Sequence, residues 1–246
     1  MDTCNLFRLE GKTILVTGAS SGIGQAVALA CAKAGAQLVL HGRNEERLSH
    51  ALHSLNGHGH SVISGDLKDF DHLFALADQC PELDGVVHCA GVHGVAPMRM
   101  VQARMLEDVF RTNYMAPMVL TQRMLLRKKI RSQGAILFMS SIAAKTGKVG
   151  VGPYSGSKAA LLGSMRPLAL EVAKHGIRVN ALCPGIVQTP LFEGVKEHLQ
   201  HDVAPTYPLG LGEPQDVAHA AVFFLADASR KITGIDFSID GGVPFT

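Results

Sequence analysis

Seven short runs rich in valine, isoleucine and leucine recur along the sequence: TILVTG, AQLVLHG, SVISGD, DGVVHCAG, GAILFMSS, IRVNALCPG and TGIDFSIDGG. Most are apolar at nearly every position rather than at alternate ones, the pattern of parallel strands covered on both faces. Amphipathic stretches lie between them, at residues 23–34, 45–55, 71–79, 102–127, 154–175 and 214–226. Strand and helix in regular alternation leave few solutions, because each crossover must pack on a sheet face and is right-handed. The pattern predicts an α/β fold, a seven-stranded parallel sheet, doubly wound and flanked by helices.

Nothing in the chain reads as a linker, so residues 1–246 are expected to form a single domain. The irregular stretch at about 190–212 falls after the sixth strand, at the carboxyl edge where ligands of such sheets bind, and is expected to be a substrate lid. With 47% hydrophobic residues and a net charge of +2, disorder is excluded. The 23 basic and 21 acidic residues are spread along the chain, which argues against a nucleic-acid partner. The densest basic run, Arg127, Lys128, Lys129 and Arg131, reads first as cations at a helix C-terminus and second as a dock for an acidic partner. Five cysteines without a C-x-x-C pair suggest reduced thiols. The N-terminal MDTCNLFRLEGK has no apolar signal region, and no apolar run approaches ~18 residues, so a cytoplasmic protein without a membrane partner is expected.

The first strand leads through TGASSGIG, residues 17–24, into the first helical stretch. There Gly18 permits a tight turn, Gly22 admits a ligand close to the backbone, and Gly24 lets helix and strand pack closely. The helix N-terminus offers unpaired N–H groups to a phosphate, with Ser20, Ser21 and Ile23 in the same loop. This context predicts a dinucleotide site on a Rossmann-type fold. The spacing T-G-x-x-x-G-x-G resembles that of the short-chain dehydrogenase/reductase family, and the resemblance extends over essentially the whole chain.

In such sites an acid after the second strand holds the ribose hydroxyls of NAD. Here LVLHGRNEERL has no acid at His41 or Gly42 and brings Arg43 instead, a guanidinium suited to a 2′-phosphate. NADP(H) is therefore favoured over NAD(H). The resemblance places Asp66, followed by Leu67, beside the adenine, and Ala90 and Gly91 of HCAG against the cofactor. Cys89 stands where the family commonly has asparagine. PGIVQT resembles the family's P-G-x-x-x-T, which puts Pro184, Gly185, Ile186, Val187 and Thr189 on the nicotinamide side.

Tyr154 has lysine four residues on, Lys158, and helical spacing sets both on one face. A lysine ammonium beside a phenol favours phenolate, so the pair reads as an acid/base unit in which Lys158 lowers the Tyr154 pKa. Ser141 lies 13 residues before Tyr154, the family's usual serine-to-tyrosine interval, which leaves Ser140 a structural role. Asn113 matches the family's fourth catalytic position, where asparagine holds a water linked to the lysine. The resemblance implies hydride transfer between nicotinamide and a carbonyl or secondary alcohol, on a small-molecule or carrier-bound substrate such as a 3-oxoacyl thioester. It also implies a homo-oligomer, a tetramer as in relatives. An NAD-dependent alcohol, sugar or hydroxysteroid dehydrogenase of the same fold, and a non-catalytic nucleotide-binding sensor or scaffold, remain as alternatives. Twelve histidines include His58, His60, His93, His198 and His201, but no ligand pattern points to a metal. His93 reads first as a loop residue facing water and second as part of a substrate cleft. PLGLGEP, residues 208–214, is one residue short of the family's usual stretch and lacks its arginine.

Overall fold

Seven strands, β1 (Thr13–Thr17), β2 (Gln37–Gly42), β3 (Ser61–Ser64), β4 (Leu83–His88), β5 (Ile130–Met139), β6 (Arg178–Pro184) and β7 (Asp236–Ile239), form one sheet in a computed structural model describing residues 6–196 and 204–243. The strand order is β3-β2-β1-β4-β5-β6-β7 and every pairing is parallel. The chain winds outward from β1 to one edge, then crosses back to place β4 on the other side of β1. The carboxyl ends of β1 and β4 therefore flank the point where the winding reverses, where a crevice opens.

Successive strand residues serve opposite faces, which explains the continuous apolar runs. Ile14, Val16, Leu38 and Leu40 pack in one core with α1 (Gly22–Lys33), α2 (Glu45–His53) and α8 (Pro214–Leu225). Leu15, Val39, Ile136 and Phe138 pack in a second core against α3 (Phe70–Gln79), α5 (Ala116–Leu126) and α6 (Gly152–Val172). Burying each such side chain contributes roughly 1.5–3 kcal/mol.

A buried cation fastens α8 to the sheet. Arg178, at the start of β6, donates from Nη1 to the Phe224 carbonyl at 2.7 Å and to Ser229 Oγ at 2.8 Å. These groups lie at the C-terminal end of α8, where unpaired carbonyls and the helix dipole favour positive charge. The basic run is likewise engaged within the chain. Arg127 caps α5 and pairs with Asp78 at 3.1 Å, as expected for a helix C-terminus. Lys129 donates to the Cys80 carbonyl at 2.6 Å, and Arg131 pairs with Glu82 at 3.2 Å and Asp84 at 3.0 Å. Three of the four cations thus tie α5 and β5 to the segment joining α3 to β4.

Residues 102–127 are not one regular helix. They divide into α4 (Ala103–Phe110), a π turn (Arg111–Met115) and α5. The cause is Pro117: in an α-helix the carbonyl of Asn113 would accept from the N–H four residues on, and proline has none. The ladder widens by one residue at Asn113.

His88 on β4 is buried, with Nε2 hydrogen-bonded to Thr121 Oγ1 at 2.9 Å and its ring stacked on Phe138. Burial holds its pKa down at about 3. An unfolded histidine titrates near 6.5, so the unfolded chain gains a proton first as pH falls. Stability should decline below pH 6.5 by up to roughly 1.4 kcal/mol per unit from this residue. Urea denaturation at pH 7 and pH 4.5 should show wild type losing about 2–3 kcal/mol more than His88→Gln. Equal losses would refute the assignment.

Candidate active site

At the β1–α1 junction backbone lies against backbone. Gly18 has φ +69°, and a Cβ there would come within 2.8 Å of Ala90 Cα; at Gly24 it would come within 2.2 Å of the Gly18 carbonyl oxygen. Ala90 donates its N–H to Thr17 Oγ1 at 3.3 Å, tying the end of β4 to β1 although Cys89 precedes it. Ser21 precedes α1 without using its side chain as a cap, and the first turn has no acidic residue. The helix start therefore keeps unpaired donors and positive potential.

These groups line an open cleft. Gly18, Ser20, Ser21, Gly22, Ile23 and Gly24 form one wall; Arg43, Asp66 and Leu67 form a second; Ala90, Gly91 and Thr189 form a third. Arg43 is exposed and precedes α2, whose cap is Asn44, accepting from Arg47 N at 2.8 Å. Glu45 is turned away to Ser64, whose Oγ donates to it at 2.7 Å.

A second cleft meets the first at Cys89 and Gly91. Ser141, Tyr154 and Lys158 share its wall with apolar Val95, Ile142, Val149, Val151, Ile186 and Phe192. Ser141 lies two residues beyond β5, and its Oγ accepts from Ala143 N at 3.1 Å, which fixes the turn at Ile142–Ala144. Tyr154 and Lys158 project from the first turns of α6. Burial pushes the Tyr154 pKa up, and the neighbouring Ser141 hydroxyl opposes the shift. Lys158 is buried, donates from Nζ to the Met139 carbonyl at 2.8 Å, and lies 5.7 Å from the Tyr154 ring centre. Burial draws Lys158 down to about 8. The expectation that the lysine depresses the tyrosine thus differs from what the protein shows: desolvation dominates both groups. Ser140 Oγ donates to the Lys158 carbonyl at 3.0 Å, a structural bond.

Asn113 acts as a clamp. Its Oδ1 accepts from Val92 N at 2.8 Å, while Nδ2 donates to the Val92 carbonyl at 2.8 Å and to Ser157 Oγ at 3.0 Å. Ser157 Oγ in turn donates to the Tyr154 carbonyl at 2.7 Å. A Cβ on Gly91 would sit 3.3 Å from both Asn113 Oδ1 and Lys158 Nζ, so this glycine leaves room where the two side chains converge.

Pro184, Gly185, Ile186, Val187 and Thr189 run along the edge of the second cleft. Tyr207, which the sequence did not mark, holds this loop by accepting from Ile186 N at 3.0 Å. Val187 bridges Gly212, and Gln188 N donates to the Gly212 carbonyl at 2.9 Å. Thr189 Oγ1 accepts from Phe192 N at 3.3 Å at the start of α7 (Pro190–Lys196). His93 lines the second cleft, and His60 is engaged structurally, with Nδ1 accepting from Leu38 N at 3.1 Å. His198 and His201 lie outside the described residues. Among the described residues no cluster of three or more histidine, cysteine or acidic side chains could hold a metal, and no helix is long and apolar enough to cross a membrane.

A hydroxyl, a phenol and an ammonium thus face an apolar cleft that opens onto the glycine turn at the start of α1. A family model described as enoyl-(acyl carrier protein) reductase matches residues 18–244. The chain belongs to the short-chain dehydrogenase/reductase family. It is an oxidoreductase of that family, whose members use NAD(P). Its relatives include the 3-oxoacyl-(acyl-carrier-protein) reductase FabG of Rickettsia felis, 32% identical over 96% of this chain and 98% of that protein. Oxidoreductase UcpA of Salmonella typhimurium is 34% identical, over 96% and 95% respectively. Among solved structures, a putative NAD(P) dependent gluconate 5-dehydrogenase from Beutenbergia cavernae with bound NADP is 31% identical, with a TM-score of 0.87 and coverage of 96% and 98%.

The short-chain fold around Tyr154 depends on the Asn113 clamp. Asn113→Ala would strand the Val92 N–H and carbonyl, and urea denaturation should show a loss of about 2–4 kcal/mol. A loss below about 0.5 kcal/mol would mean that the clamp is dispensable.

Proposed function

We propose that this protein is an NADP(H)-dependent reductase of carbonyl compounds, acting between a carbonyl and a secondary alcohol. The observation that carries the reading is the convergence of Ser141, Tyr154 and Lys158 on the apolar cleft, beside the crevice at Gly91.

The first cleft suits a dinucleotide by its contacts. The uncapped start of α1, with Ser20, Ser21, Gly22, Ile23 and Gly24, would hold the diphosphate, while Gly18 keeps the turn tight. Arg43 would pair with a 2′-phosphate, and the absence of an acid at Gly42 removes the usual competitor. Asp66 and Leu67 would border the adenine, and Ala90 and Gly91 the middle of the cofactor. Lys158 and Tyr154 would bind the nicotinamide ribose, with Pro184, Gly185, Ile186, Val187 and Thr189 along the ring. When bound, the nicotinamide supplies a two-electron hydride to the substrate carbon.

In reduction, Ser141 Oγ donates a hydrogen bond to the substrate oxygen and Tyr154 Oη supplies its proton. Lys158 ammonium offsets the phenolate left behind. Burial raises the cost of charging either group alone, so the two are most easily charged together. Asn113 positions this machinery through Val92 and Ser157. In keeping with its place in the family motif, Asn113 would also hold a water linked to Lys158.

The apolar lining suits a 3-oxoacyl thioester or another apolar ketone, in keeping with the name of the FabG relatives, 3-oxoacyl-(acyl-carrier-protein) reductase. The gluconate 5-dehydrogenase likeness favours a second reading, a sugar-type substrate held by Lys148 and His93 in the same cleft. We read residues 190–212 as the lid of a single domain spanning residues 1–246, and the protein as cytoplasmic. Exposed Phe237 on the β7 edge and Leu170 on α6 suit a homo-oligomer, which we read as a tetramer.

A panel of ketones and 3-oxoacyl thioesters, assayed with NADPH and NADH, tests the reading. Tyr154→Phe should lower kcat about 100-fold or more. Undiminished turnover would sink the mechanism. Arg43→Ala should raise the KM for NADPH about tenfold or more while leaving NADH nearly unchanged. Equal effects on both cofactors would overturn the 2′-phosphate assignment.

A further inference from the structure

The wall of the first cleft contains a buried imidazole, bonded to a second, partly exposed one behind it, that the chemistry above does not use. His41, near the end of β2, is fully buried and lines the cleft between the glycine loop and Arg43. Its Nε2 lies 3.0 Å from Nε2 of His72 on α3, with the ring centres 5.2 Å apart. Such a bond needs one proton between the two nitrogens, supplied by either ring. His41 Nδ1 is left buried without a hydrogen-bond partner, which costs about 1–3 kcal/mol in a finished structure. The pair is a built feature. His72 fills the space beside Gly65, where a Cβ would come within 2.2 Å of its Nε2, and Gly65 N donates to the Gly42 carbonyl at 3.0 Å.

The surrounding charges are few. His72 opposes protonation of His41 and Asp66, at the head of α3, favours it. Arg43 follows one residue beyond Gly42; Glu45 is bound to Ser64 and Lys68 to Asp108. In the unliganded protein burial holds His41 down at about 4, so its ring is neutral near pH 7. A proton can be added at Nδ1 of whichever ring donates, without breaking the bond between the two Nε2 atoms. That monocation is what a dianionic group in the same cleft would stabilise, because an added charge of opposite sign offsets the desolvation that keeps the ring neutral.

We propose that His41 and His72 form a specificity-determining pair for the 2′-phosphate-bearing cofactor, taking up a proton as it binds and adding a second positive charge to that of Arg43. This rests on the NADP(H) reading above. The pair then acts where an acidic side chain would favour a free ribose diol: it rewards the phosphate and gives nothing to its absence. A group whose pKa is raised by the ligand strengthens binding at low pH, and the gain disappears as pH rises through the raised value.

The test is the dissociation constant of NADPH and of NADH, from nicotinamide fluorescence between pH 5.5 and 7.5, for wild type, His72→Gln and His41→Val. The phosphate's own titration near pH 6 is common to all three proteins and cancels between them. His72→Gln is at a partly exposed position, so it reports even where a change at the buried His41 impairs folding. Acidification from pH 7.5 to 5.5 should tighten NADPH binding to wild type at least tenfold more than to His72→Gln, with no such difference for NADH. Calorimetric titration at pH 6 in buffers of different ionisation enthalpy should show proton uptake with NADPH that His72→Gln loses. Tighter binding of NADPH than NADH with identical pH profiles in wild type and variant overturns the pair's role alone. Tighter binding of NADH overturns the cofactor reading and this proposal with it.

Discussion

The close approach of three backbone segments at the ends of β1 and β4 sets the rest of the active site. Gly18 lies against Ala90, and Gly24 against the Gly18 carbonyl, at separations no side chain would permit. This contact lets α1 begin at the sheet edge with its donors unpaired. It also brings β4 close enough for Gly91 to reach the Asn113 and Lys158 side chains. The glycine-turn crevice and the Ser141, Tyr154 and Lys158 group are thereby built on one rigid seam, rather than on separate loops that would each have to be ordered.

The π turn gives Asn113 its place on that seam. In a regular helix its side chain would be one more polar group on a buried face. Widened by Pro117, the turn lets one carboxamide satisfy both main-chain groups of Val92 and a hydroxyl of α6. Three elements meet there, and Tyr154 is held from behind through Ser157. The phenol and ammonium in front are governed by desolvation, which makes each reluctant to carry charge unaccompanied.

Much of this was legible in the sequence, and for local reasons. Strand runs covered on both faces, glycine where backbone meets backbone, and a tyrosine and lysine one helical turn apart are short-range patterns, so the sheet, the glycine turn and the Tyr154–Lys158 pair could be read directly, whereas the apolar lining of the second cleft could not. The π turn was encoded too: Pro117 four residues after Asn113 removes a donor from the ladder, although periodicity alone reads through it. Other features depend on residues distant in the chain. Arg178 finds the end of α8, Tyr207 finds Ile186, and His41 finds His72 only after folding, and no spacing announces such pairs. The basic run was ambiguous for the same reason, since its acidic partners lie 47 to 49 residues away.

The bonds from Tyr207 to Ile186 and from Gly212 to the residues beside Val187 have a further consequence. The chain that departs from this loop at Pro190 returns to the same loop by Gly212. Whatever lies between is spliced in at two fixed points a few residues apart. So long as Tyr207 and Gly212 keep their bonds, a change of length between these points leaves both ends of the excursion tied to the same loop, as at the ends of a cassette. Such an arrangement lets selection on what enters the cleft proceed separately from selection on the reaction, which is how one scaffold can serve many substrates.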